Sequence, residues 1–408
     1  MIIKHIKELI GNTPLLELDS NIHGIKNVKI YAKLELFNPY GSLKDRIALN
    51  MLDVEKAKNK IVLESSTGNT AKALAYLSSS HNLKFKDITN TIKDPEMRQL
   101  LQLLNTELEE LPGHSECPDP NDPDNPIKKI ETLVEKYPND YYHTDQFFNI
   151  KNIEAHEESG KEIVKELEDV DYFFSYMGTC GSSLGIGNIL KKEFNSKNIG
   201  MYIEEGGYAP GGRSENELFE TGFFNEKNYD EIIKGTMKGT IQGMVELNRK
   251  YGIPCGPASG LSYSTMIDYL SKQEFKEETS VVFIVCDRIE SYMSYLQKYA
   301  KHLFNENITS GNFILDVDHD EMMMASEIKF EEIPKNSTLI DIRSNYSFNF
   351  SHIPGSININ SFIFEELLKQ RNTFPKEKPI VLICPKGLIS KKYVAYLEKE
   401  GYEAYSLK

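Results

Sequence analysis

The residues with the most specific chemical pattern in this sequence run Asn38-Pro39-Tyr40-Gly41-Ser42-Leu43-Lys44-Asp45-Arg46. A lone lysine is ordinarily a solvated surface charge. Here Asn38-Pro39 and Gly41 build a turn. Ser42 has the chemistry to cap a helix, whose apolar positions Ile47, Ala48, Met51 and Leu52 follow at helical spacing. Lys44 is therefore expected in the first turn of that helix, held in place and facing a cleft. A lysine whose pKa is lowered in such a site forms a Schiff base with an aldehyde. Pyridoxal phosphate is the cofactor that uses this chemistry most often. Two other stretches suit anions: Ser65-Ser66-Thr67-Gly68-Asn69-Thr70, and Met177-Gly178-Thr179-Cys180-Gly181-Ser182-Ser183-Leu184-Gly185. Each sits between a strand-like run and a helix, an arrangement that aims backbone N–H groups at a phosphate or carboxylate. A glycine-rich turn alone is also an ordinary tight start to a helix.

The elements that must position these residues follow from periodicity. Alternation over 28–36 predicts a strand ahead of the Lys44 helix. Ile61-Val62-Leu63-Glu64 is a short strand, with a helix from Ala71 through Tyr76 after its loop. Met97, Leu100, Leu101, Leu103 and Leu104 predict a helix over 94–110. Val170–Tyr176 reads as a strand, and a helix follows from about Ile186. Ser280–Cys286 is a continuous apolar run, the pattern of a buried parallel strand. Strands alternating with helices predict an α/β fold with ligands at the carboxyl ends of the strands. The Pro/Asp-rich stretch 114–126 reads as a surface loop near the cleft mouth; Asp119, Asp122 and Asp124 lack EF-hand spacing for calcium. Residues 303–336 read as a link, and Asp316, Asp318, His319, Asp320 and Glu321 as its solvated acidic face rather than a metal site. A compact α/β unit follows, with strands at 337–343 and 379–383 and a helix over Lys391–Glu400. The expected domains are 1–305, a linker 306–334, and 335–408.

At 408 residues, two or three domains are expected. A net charge of −14 argues against nucleic acid as a partner. No apolar run approaches a membrane span, and the N-terminal residues lack a signal-peptide layout. Five scattered cysteines (117, 180, 255, 286 and 384) make no disulfide framework, so a cytoplasmic location is the expectation. Charge is uneven: residues 335–408 hold 11 basic against 7 acidic residues (+4), and 1–334 hold 36 against 54 (−18). Two units of opposite charge could attract each other; ordinary variation explains the same figures.

The Lys44 stretch resembles the cofactor-lysine motif of the cysteine synthase and cystathionine β-synthase family, fold type II pyridoxal-phosphate enzymes. The resemblance runs from Ile10-Gly11-Asn12-Thr13-Pro14-Leu15 to about Tyr292. It implies two α/β subdomains with parallel sheets and a homodimer. It implies that Lys44 carries the cofactor and that Gly178, Thr179, Cys180, Gly181 and Ser182 cradle its phosphate, with Cys180 in place of a glycine. It implies that Asn69 bonds the ring oxygen. Ser66, Thr67, Gly68 and Thr70 would take the substrate carboxylate, joined by Gln146. At the ring nitrogen Gly256-Pro257-Ala258-Ser259-Gly260 has alanine where the family has serine, leaving Ser259 or Ser262 to substitute. The last unit resembles a rhodanese domain through Asp341-Ile342-Arg343, His352-Ile353-Pro354-Gly355 and Cys384-Pro385-Lys386-Gly387. This implies that Cys384 is a reactive thiolate carrying sulfane sulfur, favoured by backbone N–H groups and Lys386. Ile389 stands where many members have arginine or threonine, and the chain stops at Lys408, ahead of the family's last helix.

Together these imply β-replacement on an O-activated serine by a sulfur nucleophile, giving cysteine or a related thio amino acid. The small-molecule sulfur donor would be served by the rhodanese unit. Alternatives are another β-substituted alanine synthase, a cysteine desulfhydrase, or a catalytically weak regulatory protein, the last favoured by Ala258.

Overall fold

The computed structural model describes residues 2–111, 125–304, 315–368 and 374–408. Cys117 and the aspartates at 119, 122 and 124 lie outside them. The chain forms two compact units, one of Met1–Ile88, Ile92–Glu109 and Leu133–Ser294, the other of Thr89–Thr91, Glu110–Thr132 and Tyr295–Lys408.

The strands of the first part of the chain are β1 (Leu15–Glu17), β2 (Val28–Leu34), β3 (Ile61–Glu64), β4 (Lys84–Asn90), β5 (Glu107–Leu111), β6 (Tyr141–His143), β7 (Tyr172–Tyr176), β8 (Lys197–Ile203), β9 (Glu231–Gly235) and β10 (Thr279–Val285). They make two sheets, ordered β1-β2-β10-β7-β8-β9 and β5-β4-β3-β6. In the larger sheet only β1 runs antiparallel, at the edge against β2. In the smaller one β3 pairs in parallel with β4 and β6. The all-apolar run of β10 lies between β2 and β7, buried from Ser280 to Val285. An interior parallel strand has both faces covered, so its sequence need not alternate.

The helices that matter here are α1 (Lys44–Met51), α2 (Asn69–Ser80), α3 (Lys151–Glu166), α4 (Gly181–Phe194), α5 (Pro257–Ser271) and, in the second unit, α6 (Leu388–Lys399). Phe173, Ile186, Leu190, Val282 and Ile284 pack α4 on the larger sheet. Val62, Ala71, Leu74, Phe85 and Leu101 form the core around the smaller sheet. The helix expected over 94–110 is corrected by the structure. It spans Pro95–Leu103, and Glu107–Leu111 is strand β5. Asn105 takes the left-handed conformation, with φ +56°, which ends the helix although apolar residues continue at Leu108 and Leu111.

The second unit holds β11 (Glu327–Ile328), β12 (Thr338–Asp341), β13 (Ile357–Asn358), β14 (Ile380–Ile383) and β15 (Ala404–Leu407) in the order β11-β15-β14-β12-β13, every pair parallel. Ile340, Phe364, Leu382, Tyr393 and Val394 fill its core. The stretch 315–334, read as link, contributes to this unit: Leu315 and Ala325 join the core and β11 pairs with β15. Its acidic residues are engaged locally. Asp318 caps the helix His319–Met324, Asp316 pairs with Lys301 and Glu321 with Lys399. No cluster of metal-binding side chains is present among the described residues. No helix among them is long and apolar enough to cross a membrane.

Candidate active site

Lys44 is the first residue of α1, half-buried, and its backbone N–H donates to the Ser42 hydroxyl at 3.1 Å. The turn before it is tied down at several points. Asn38 Oδ1 accepts the Gly11 N–H at 2.8 Å, Asp45 accepts the Tyr40 N–H at 2.6 Å, and Leu43 N–H donates to the Cys286 carbonyl at 2.9 Å. Gly41 has φ +87°, which favours glycine. Below the turn, Arg46 bonds Glu35 and Glu162, each at 2.7 Å, and Lys33 bonds Glu162 at 2.7 Å. Burial pushes the Lys44 pKa down, while Cys286, Asp287 and Cys180 oppose it. An amine so placed is closer to the neutral, nucleophilic form than a surface lysine.

Asn69, first residue of α2, donates from Nδ2 to Asp287 Oδ2 at 2.6 Å and to the Tyr292 hydroxyl at 3.0 Å. Tyr292 also donates to Asp287. Burial pushes the Asp287 carboxyl up, against the Tyr292 hydrogen bond, Lys72 and the Asn69 hydrogen bond. Asn69 Oδ1 and Asp287 Oδ1 are buried with no protein partner. Asp287 and Tyr292 were missed by sequence reasoning. Their signal was position, just past the carboxyl end of β10, where ligands of parallel sheets sit. A Cβ on Gly256 would lie 2.5 Å from Asp287 Oδ1 and 2.6 Å from the Tyr292 ring, so glycine is required there.

The structure joins the Ser66–Thr70 loop to Gln146. Thr70 donates to Gln146 Oε1 at 2.8 Å, and Gln146 Nε2 donates to the Ser65 carbonyl at 2.6 Å. Ser66 Oγ accepts the Gly68 N–H at 3.2 Å, and Thr67 is exposed. A second strand-to-helix turn, Gly178–Ser182, closes β7 onto α4. Cys180 caps α4 in the left-handed conformation with φ +66°, where glycine would be unstrained. A Cβ on Gly178 would lie 2.6 Å from the Gly211 carbonyl oxygen, and one on Gly181 only 2.0 Å from Asn152 Oδ1. Asn152 links the two loops, donating from Nδ2 to the Gln146 carbonyl at 2.7 Å and to the Thr179 hydroxyl at 3.0 Å. It is a further residue the motifs did not reveal. Ser182 is half-buried in the first turn of α4.

At the residues read for the ring nitrogen, Ala258 is buried in the first turn of α5. Ser262 donates to the Ala258 carbonyl at 3.0 Å, so that hydroxyl is spent inside the helix. Ser259 Oγ accepts the Cys286 N–H at 2.9 Å. Cys286 itself is half-buried, and burial pushes its thiol pKa up.

In the second unit Cys384 directly follows β14 and is half-buried. Its sulfur accepts the Gly387 N–H at 3.1 Å and the Ser390 hydroxyl at 3.3 Å, with Gly387 at φ +76° opening α6. Both donors stand at the N-terminus of α6. Lys386 is exposed beside it. Asp341 and Arg343 bond each other at 2.7 Å, and His352 stacks on Phe348 with centroids 4.1 Å apart.

The first unit's donors fit pyridoxal phosphate. There is an amine of lowered pKa, a helix N-terminus behind two glycines that admit no Cβ, and buried oxygens of Asn69 and Asp287 without protein partners. Residues 6–287 match the family model "Pyridoxal-phosphate dependent enzyme", and residues 325–408 match the rhodanese-like domain. A cysteine synthase of Staphylococcus aureus is 30% identical, with 72% of this chain and 96% of that protein covered. The crystal structure of a hydrogen sulfide-producing enzyme from Fusobacterium nucleatum is 28% identical, with a TM-score of 0.62 over 72% of this chain and 99% of the other. That of an O-acetylserine dependent cystathionine β-synthase from Helicobacter pylori is 27% identical, with a TM-score of 0.63 over 72% and 98%. The chain therefore belongs to the pyridoxal-phosphate dependent enzymes, in the family of the cysteine synthases and cystathionine β-synthases, and carries a rhodanese-like domain behind that fold.

Proposed function

We propose that the first unit performs β-replacement on an O-activated serine with a sulfur nucleophile, yielding cysteine or a related thio amino acid. The observation that carries this reading is the Lys44 amine, lowered in pKa by burial and anchored through Ser42 and Cys286. When bound, pyridoxal phosphate draws electrons from the α-carbon of the amino acid joined to it. Lys44 would hold the cofactor, and its amine would serve as the base that takes the α-proton. Thr179, Ser182 and the N-terminus of α4 would bind the phosphate. Ser66, Thr67, Gly68, Thr70 and Gln146 would orient the substrate carboxylate, and the Thr70–Gln146 bond supports that grouping. Asn69, fixed by Asp287 and Tyr292, would hold the ring oxygen. Ser259 is the remaining hydroxyl near the ring-nitrogen end.

The similarity to the Staphylococcus aureus cysteine synthase supports the synthetic direction. The similarity to the hydrogen sulfide-producing enzyme supports a second reading, release of sulfide from cysteine. Product analysis separates them: the holoenzyme receives O-acetyl-L-serine with sulfide in one arm and L-cysteine alone in the other. Faster cysteine formation supports synthesis, and faster sulfide release supports the second reading. Neither product, with no visible absorption band of bound cofactor, would favour the regulatory reading that Ala258 suggests.

In the second unit Cys384 is proposed to collect sulfur. Its thiolate attacks the outer sulfur of thiosulfate, sulfite leaves with the bonding pair, and a persulfide remains. Two equivalents of a small thiol then reduce the persulfide: they leave as one disulfide, the Cys384 thiol is regenerated and sulfide is released for the Lys44 site. The family also implies a homodimer, which sedimentation of the holoenzyme checks.

A further inference from the structure

A second cavity of about 630 Å³ lies in the first unit, apart from the Lys44, Asn69 and Gln146 side chains. That volume falls in the range of small-molecule pockets. Its walls are the turn around Tyr40 and Gly41, the outer turns of α2 and the residues after Asp287.

Three of its polar groups lack the partners such groups normally have. Lys72 is 5% exposed yet makes no hydrogen bond or ion pair among the described residues. A lysine buried to that extent is ordinarily paired. The Tyr40 hydroxyl is buried and unbonded. Arg288 spends its Nε on the Leu36 carbonyl at 3.0 Å, and its guanidinium also lines the cavity. Burial pushes the Lys72 pKa down; Asp287 and Asp45 oppose this, Arg288 adds to it and Glu290 opposes it. Burial raises the pKa of both Asp287 and Asp45, the latter to about 7, and neither carboxyl bonds the Lys72 side chain. Glu290 is exposed, at the rim.

The rest of the wall combines Ser79, Ser80 and Ser291 with a flat aromatic face. The Tyr40 and Tyr76 rings stack with centroids 4.7 Å apart and planes 3° from parallel, with Ile6 and Leu100 alongside. Unpaired cationic donors beside an aromatic wall call for an anion with an apolar body. The rim carboxylate of Glu290 disfavours a second negative charge on it.

We propose that this cavity is a second ligand site that takes a small organic monocarboxylate, its carboxylate on Lys72 and Arg288 and its apolar body against Tyr40 and Tyr76. The proposal does not depend on which reaction Lys44 performs.

The test is calorimetric titration of the full-length holoenzyme with benzoate and 3-(methylthio)propanoate. Neither carries an amine with which to join the cofactor. Saturable binding is expected, weakened roughly ten- to hundredfold by Lys72→Met, the range for losing a hydrogen bond to a charged group. Tyr40→Phe and Arg288→Gln are expected to weaken it severalfold and stand in if Lys72→Met does not fold. Gln146→Ala is expected to leave binding unchanged. Absence of saturable binding overturns the proposal. So does binding that Gln146→Ala abolishes, which would place the carboxylate in the substrate loop. Equal displacement by chloride or sulfate would make the cavity an unselective anion pocket and overturn the ligand class.

Discussion

Lys44 is the residue on which the chemistry turns, and its environment explains why one lysine among many is singled out. No other lysine starts a helix behind a turn pinned at Asn38, Ser42 and the Cys286 carbonyl. Lys44→Ala is expected to remove the visible band of the bound cofactor and lower turnover by at least about a thousandfold, within the span for loss of a nucleophile and base. A spectrum identical to the parent protein would contradict the assignment. Ala258 is the other informative residue. Ser262 is bonded to its own helix, and Ser259, whose oxygen accepts the Cys286 amide, is the remaining hydroxyl beside Ala258. Ala258→Ser is expected to be tolerated and to speed α-proton removal by up to roughly fivefold, the worth of one ordinary hydrogen bond. Stopped-flow exchange of the α-deuterium reads this step. A large loss with cofactor still bound would mean that the site is organised around another partner.

At the scale of the element, α1 stays in register through the buried cluster of Arg46, Glu35, Glu162 and Lys33. Arg46→Met leaves two carboxylates without their main cation and is expected to cost about 3–5 kcal/mol in denaturant unfolding, the usual penalty for breaking a buried pair. A loss below about 1 kcal/mol would show that water enters the cluster. Burial works against the Glu162 carboxylate, but Arg46 and Lys33 overcome it and hold its pKa down to about 2, from an ordinary 4.5. Because the folded value lies below the unfolded one, this stabilisation is complete above about 4.5 and is lost as pH falls toward about 2. Glu162→Gln is expected to flatten that part of the stability profile, read from urea midpoints between pH 3 and 6. An unchanged acid slope would count against this linkage.

At the scale of the whole molecule, the question is whether one chain gains from carrying both units. Covalent linkage in one chain gives an effective concentration near the millimolar range when geometry permits. Given O-acetyl-L-serine, thiosulfate and a thiol, the intact chain is therefore expected to make cysteine faster than a mixture of the Lys44→Ala and Cys384→Ala chains, each assembled separately before mixing. The advantage should grow as protein is diluted and disappear when free sulfide is supplied. Equal rates at every dilution would leave two separate activities on one chain.

Local chemistry made much of this protein legible from sequence. The Lys44 turn, the Ser66–Thr70 and Gly178–Ser182 loops and the Cys384 loop are short runs whose residue types carry turn and helix-start chemistry of their own. The apolar run of β10 declared its buried place because a strand covered on both faces has no polar side to preserve. The boundary near Asn105 was harder, since apolar residues continue across it and only the left-handed backbone there stops the helix. Tertiary structure alone decided what touches what over long separations. Asn152 reaching Thr179, Asp287 and Tyr292 closing on Asn69, and Lys72 left unpaired opposite Arg288 depend on strand order in two sheets. Those contacts join residues tens to hundreds of positions apart. Their geometry comes from packing, which propensity and periodicity do not encode, because each reads only a short window of chain.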